Sequence, residues 1–376
     1  MHMEKYRELF EPYRFRCGLT VANRIVIAPM TTWSSNPDGT IHNDELAYLR
    51  RRSHGFGLVI TAACYVMPEG HAFHGQWGCH DDSMLPSLHR AAETIHDCGS
   101  TAILQLHHGG RMCPKDLLGH APLCASAVPA LRPDADVPRE MTLDDIHRTI
   151  EAFGSATRRA IGAGYDGVEI HGANTYLLQQ FFSPHSNRRT DDWGGSLERR
   201  MRFPLAVLRA VQDAASTAGR PFAVGYRLSP EEIEDPGITL EDTLVLIDAL
   251  AERSPDWIHV SVREYFKGSI RNKAESAPPT TRIVQQLAGR TPVIGVGKVV
   301  TPEHAQAVCR DGCTLVAMAR IVLTEPEWVE KVKNGKATSI RDRLPRRDGD
   351  SLLTLPSALY ERLLSVKNWM TVDENS

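Results

Sequence analysis

The chain has 376 residues, 42% hydrophobic and 24% charged, a balance that suits an ordinary globular protein with enough length to bury a core. A formal net charge of -3 argues against nucleic acid as the main partner, because neutralising phosphates needs a basic surface. The first fifteen residues carry no apolar leader, no stretch is long enough to cross a bilayer, and the eight cysteines are scattered, so a cytoplasmic protein with reduced thiols and no membrane partner is expected.

Taken in order, residues 1–22 read as a capping segment, followed by a first strand at 23–30 that ends in Pro29 and Met30. A helix over 44–54 carries apolar residues at helical spacing, and a strand at 58–66 and a helix at about 83–98 follow. Strand 101–106 runs into HHGGR. The segment 107–142, rich in Pro and Gly, is the longest connection and is expected to be a long loop. TLDDI opens a helix over 142–162.

Residues 164–200 read as a buried strand over 168–170, a long polar loop, and the start of a helix capped by Ser196. The remaining pattern alternates helix 197–216, strand 222–228, helix 240–253, strand 257–262, helix 279–287, strand 292–296, helix 302–310, strand 315–318 and helix 327–333. Eight strands, each followed by a helix, predict an α/β fold: a single (β/α)8 TIM barrel over about 23–335, with an N-terminal capping segment, a long loop after the third strand and a C-terminal extension, 336–376. An open doubly wound sheet is the alternative, but no dinucleotide-type glycine fingerprint opens the first unit.

In such a barrel the active site forms at the C-terminal strand ends, and here those ends are polar. They present Thr31, Gln105, His107, His171, Asn174, Arg227, Gly297, Lys298 and Arg320. Singly, each is explained by a structural role. Together they indicate a site. The histidine-rich pieces HAFHGQWGCH and LHH show no recurring ligand spacing, so no metal is expected.

The stretch from His171 through Asn174 and Tyr176 to NRRTDDWGGS resembles the old yellow enzyme family of flavin-dependent ene-reductases, and the resemblance extends from LFEPYRF to ARIVLTEPEW. It implies FMN as cofactor and NADH or NADPH as reductant. On the matched positions, Pro29, Met30 and Thr31 would border the flavin, Thr31 bonding its O4 region. Ala63 would contact the ring through its backbone amide, Gln105 would read the pyrimidine edge, and Arg227 would stand beside N1 and O2. Gly295, Gly297, Lys298, Ala319 and Arg320 would hold the phosphate, although the family more often has glycine where Lys298 and Ala319 stand. His171 and Asn174 would bind and polarise the substrate, and Tyr176 would protonate it.

The implied activity is reduction of activated C=C bonds in enones and nitroalkenes, and of quinones. Trp33, Trp77, Tyr265 and Phe266 are expected either to touch the distal substrate or to pack; the sequence leaves both open. Larger family members append an iron–sulfur segment, which residues 330–376, lacking Cys, do not suggest. The alternatives are another flavin barrel such as a hydroxy-acid oxidase, which needs a base where this chain has Tyr176, and a non-redox barrel binding a phosphorylated ligand. Homo-oligomerisation is left open.

Overall fold

The computed structural model describes residues 5–367 and 369–374; residues 1–4 of the capping segment and 368, 375 and 376 of the tail lie outside the described residues. Eight strands build the centre: β1 Ile25–Ile27, β2 Leu58–Tyr65, β3 Thr101–His107, β4 Gly167–Gly172, β5 Ala223–Leu228, β6 Trp257–Val260, β7 Val293–Val296 and β8 Leu315–Met318. Each is parallel to its neighbours, and β1 pairs with both β8 (Ile27 opposite Met318) and β2 (Val26 opposite Leu58), which closes the sheet. The helices that surround the barrel, one after each strand, are α1 Asn43–Arg52, α2 Leu85–His96, α3 Leu143–Gly162, α4 Leu197–Ala215, α5 Leu240–Ala251, α6 Pro279–Leu287, α7 Pro302–Arg310 and α8 Trp328–Lys333. The protein is therefore a (β/α)8 barrel.

Both faces of every strand are buried, one against helices and the other in the barrel lumen, which is why the strands read as continuous apolar runs. The lower lumen is filled by Val26, Leu58, Ile60, Ile103, Ala223, Trp257 and Ile294. Phe15, from the N-terminal segment, closes that end with its ring 5.3 Å from Trp257. Polar caps start the helices: Thr142 and Ser196 do so where expected, Thr142 in a reciprocal capping box with Asp145 and Ser196 accepting from the Arg199 amide, and Thr239 forms a second such box with Asp242.

The structure departs from the sequence expectation at the first strand and after the fourth, and it shows the form of the tail. The first strand is shorter than 23–30: Asn23 Oδ1 takes the amides of Ile25 (3.0 Å) and Gly57 (2.9 Å), the latter shared with the Ile25 carbonyl, and Pro29 has no amide to offer. The polar loop after the fourth strand contains a fully buried helix, Leu177–Phe182, disguised by Gln179 and Gln180. The tail is also structured. Helix Ser357–Ser365 and a short pairing of Leu344–Pro345 with Val372–Asp373 bring it back across the barrel's C-terminal end.

Candidate active site

A cavity of about 730 Å³ opens at the C-terminal ends of the strands, within the range of a ligand pocket. Pro29, Met30, Thr31, Trp33, Tyr176, Arg227, Gly297, Lys298, Ala319 and Arg320 border it, with Val262, Val296, Val299 and Ala317 also in its lining. Thus the first, fourth, fifth, sixth, seventh and eighth strand ends converge on one space.

At Tyr176, which borders the cavity, three rings meet. The Tyr176 ring lies 5.0 Å from His171 and 4.3 Å from His107, edge to face with both. His171 Nδ1 accepts the Ala173 amide at 3.2 Å, so the neutral ring carries its proton on Nε2. Burial, reinforced by His107 and Arg227, drives His171 well below its usual pKa and keeps it neutral. His107 is fixed in the same sense: Gln76 Oε1 accepts from Ala72 N and its Nε2 faces the Ala63 carbonyl, so Gln76 can only donate to His107 Nδ1, at 2.9 Å. Its Nε2–H is buried without a partner. Burial pushes the Tyr176 phenol up to about 12, so it stays protonated.

Asn174 (φ 55) and Thr175 (φ 66) both occupy the left-handed region, which Asn tolerates and β-branched Thr resists. The buried helix imposes this turn: Gln179 Oε1 accepts the Thr175 amide at 2.9 Å and Gln180 Nε2 donates to the Thr175 carbonyl at 2.6 Å. Asn174 Oδ1 accepts from Ser261 Oγ at 3.0 Å, which leaves the Asn174 amide hydrogens to donate. The same Ser261 oxygen accepts from Arg227 Nη2 at 3.0 Å. Arg227 is buried and its Nε has no partner, an unmet donor on a fixed cation.

The other expected residues divide. Gln105 is buried on β3, and a shift in register within β2 sets Ala63 directly opposite it. Gly297 (φ 139) and Lys298 (φ 52) form the turn after β7, and Arg320 donates to the carbonyls of Trp369 (3.4 Å) and Arg263 (3.3 Å). Gly295, like Ala63, Gln105, His171 and Asn174, lies behind the residues that line the cavity, and a side chain there would collide with Val308, Cys313 and Tyr265. Of the four aromatic candidates only Trp33 borders the cavity. Trp77 is buried with its Nε1–H on Glu45 (2.7 Å), Tyr265 lies against Cys313 Sγ (3.5 Å), and Phe266 packs on Tyr265 and His304 at the surface.

Several residues at this end were not singled out from sequence. Ser261 had no signal beyond its place just after a strand. Trp369 and Arg362 come from the tail: Trp369 packs edge to face on Trp33 at 5.9 Å, and Arg362 lies over the Trp33 ring at 5.5 Å. Glu169 did have a signal, since alternation puts it on the same strand face as His171.

Residues 8–339 match the family described as NADH:flavin oxidoreductase / NADH oxidase. The chain belongs to this family. It is an NAD(P)H-dependent flavin oxidoreductase of the old yellow enzyme type. The chain is 42% identical over 372 residues to the probable NADH-dependent flavin oxidoreductase YqiG of Bacillus subtilis (strain 168), covering 97% of this chain and 98% of that protein. It is 41% identical to the NADH:acrylate oxidoreductase of Vibrio harveyi, over 97% of this chain but 36% of that protein, so it spans only about a third of that relative. Among solved structures it resembles the old yellow enzyme homologue from Zymomonas mobilis (TM-score 0.78, 26% identity, 89% of this chain and 94% of that one). It also resembles morphinone reductase (TM-score 0.76, 28% identity, 88% and 90%).

FMN is the cofactor of this flavin oxidoreductase, and the cavity suits it. Its volume can hold the ring, the buried Arg227 at its border offers a fixed cation with an unmet Nε donor, and Lys298, Arg263 and Arg320 add positive charge that would suit a phosphate. None of the helices among the described residues is long and apolar enough to cross a membrane.

Proposed function

We propose that this flavin oxidoreductase reduces electron-poor alkenes, adding hydride at the β-carbon and a proton at the α-carbon. Bound FMN supplies the hydride, which it takes from NADH or NADPH. Pro29, Met30, Thr31, the Ala63 backbone, Gln105 and Arg227 would hold the ring, and Gly297, Lys298, Ala319 and Arg320 the phosphate. Gly295 would contribute only the wall behind them. His171 Nε2–H and the Asn174 amide would donate to the substrate carbonyl or nitro oxygen, where negative charge builds as hydride arrives. Tyr176 would deliver the proton, since an enolate carbon is basic enough to take it from a phenol that the site keeps protonated.

The observation that carries this reading is the convergence of two fixed donors and one protonated acid beside Arg227. It also weighs against a hydroxy-acid oxidase: both nearby imidazoles carry their proton on Nε2, so neither is set up as a base. Residues 23–335 and the tail 336–376 would act as one FMN-binding unit, with Trp369 and Arg362 narrowing the cavity mouth beside Trp33. The free cysteines are consistent with a cytoplasmic setting.

A second reading rests on the relatives named NADH:acrylate and NADH:fumarate oxidoreductase, in which this chain matches 36% and 37% of a longer protein. There the matched unit would collect electrons from NADH while the alkene is reduced elsewhere. Anaerobic reduction of the purified protein by each nicotinamide, followed by reoxidation with enones, nitroalkenes and quinones, separates the two. Alkene turnover supports the first reading, and turnover confined to quinones supports the second.

A further inference from the structure

Glu169 lies on β4, two residues before His171, and is fully buried inside the barrel. A carboxylate in such a place is costly unless donors surround it. It accepts three hydrogen bonds, from Gln105 Nε2 (2.8 Å), Trp257 Nε1 (2.9 Å) and His259 Nδ1 (2.9 Å). Burial works to raise its pKa, but His259, Arg227 and the Trp257 donor outweigh it and hold the carboxyl below its usual range. The backbone has been shaped to allow this, since any side chain at residue 225 would overlap the Trp257 indole that reaches Glu169.

An ionised carboxylate can only accept, so Gln105 must turn its NH2 group toward Glu169. Its Oε1 is then the group left for a ligand, and among the described residues no protein donor reaches that oxygen. Arg227 is paired across the strands with both His259 and His171, so its charge belongs to the same cluster. A ligand suited to this cluster presents an N–H to Gln105 and accumulates negative charge near Arg227. The pyrimidine edge of a flavin does both, through N3–H and through N1 and O2 on reduction.

We propose that Glu169 is a positioning residue for the cofactor: it fixes the acceptor end of Gln105 toward flavin N3–H, and as counter-charge to Arg227 it limits how strongly the reduced ring is stabilised. The inference rests on the placement of FMN over Gln105 and Arg227. Gln105 alone would offer either end of its amide with little preference; the carboxylate makes the choice. It also gives a reason for an ionised group where a hydrophobic residue would be cheaper to bury.

The test reconstitutes the apoprotein with FMN or with N3-methyl-FMN, and measures the affinity of each and the midpoint potential. Wild type should prefer FMN by about tenfold or more, the scale of one lost hydrogen bond that leaves a buried acceptor unmet. In Glu169→Gln the new side chain can itself donate to Gln105 Oε1, so the preference should collapse toward one, and the potential should rise because Arg227 has lost its counter-charge. Glu169→Asp keeps the charge but withdraws from Gln105. It should keep the potential near wild type and still lose preference, and it decides the matter if Glu169→Gln does not fold. Equal affinity of wild type for the two flavins overturns the proposal. So does an unchanged potential and preference in Glu169→Gln accompanied only by a lower melting temperature, which would make Glu169 a core fastener. Wild-type apoprotein that takes up neither flavin would instead overturn the placement of the cofactor, and the proposal with it.

Discussion

Ser261 Oγ donates to Asn174 Oδ1 at 3.0 Å, and with Ser229 Oγ, 3.5 Å from the same oxygen, it fixes the acceptor end of the Asn174 amide and leaves the NH2 end to donate. Because the same hydroxyl accepts from Arg227, its proton has to point toward Asn174. Ser261→Ala removes the shorter of these two contacts and should loosen the Asn174 amide. We expect about tenfold loss in kcat/KM for enones and weaker phenol binding, with FMN occupancy retained. Wild-type enone kinetics in the variant would show that Asn174 is oriented by other means.

Tyr176→Phe removes only a hydroxyl from a ring packed against His107 and His171. Flavin reduction by nicotinamide should be preserved, while turnover of a simple enone should fall about 100-fold. Quinones, which need no proton on carbon, should be largely spared. Equal losses on enone and quinone would reassign the phenol to packing or binding.

Arg227→Ala should lower the flavin's midpoint potential or loosen FMN, because it removes the buried cation of the cluster. Thr31→Ala, at the cavity border, should alter the rate of reduction by nicotinamide and leave the melting temperature nearly unchanged. Potentiometry and stopped-flow absorbance check the pair; full occupancy at an unchanged potential in Arg227→Ala would remove the arginine from the cofactor site.

Thr175 holds a left-handed backbone (φ 66) that a β-branched residue adopts only under strain. Thr175→Gly should relieve strain of roughly 1–3 kcal/mol and cost about 1 kcal/mol in unfolded-chain entropy, for a net gain in stability. Thermal unfolding reads the sign directly. A lower melting temperature would mean that the threonine side chain makes up for its own backbone.

Burial pushes His107 and His108 down to about 3 from an ordinary 6.5. In the unfolded chain these rings take up protons below about pH 6.5, whereas in the folded chain they stay neutral. Their contribution to stability is therefore complete above pH 6.5 and is lost as the pH falls toward 3, by up to roughly 1.4 kcal/mol per pH unit for each ring. The melting temperature should drop between pH 7 and pH 5, and His107→Gln should flatten the slope. A pH-independent melting temperature over that window would contradict the buried neutral state.

The alternation of apolar strands with amphipathic helices was enough to specify eight βα units, because short apolar runs and a period of 3.6 are written in neighbouring residues. The same local record gave Ser196 and Thr142 as caps, and the strand ends where Thr31, His171, Arg227 and Lys298 stand. Which of those residues share a cavity was not local. Trp77 and Tyr265 had the composition of substrate contacts, but the hydrogen bond to Glu45 and the packing on Cys313 placed them in the walls. Gln179 and Gln180 looked like loop residues until the tertiary structure buried them against the turn they brace. Trp369, nearly two hundred residues from Tyr176, reached the cavity only because the tail folds back over the strand ends. A hydrogen bond such as Ser261 to Asn174 depends on two strands being brought into register, and register is set by the closed barrel as a whole.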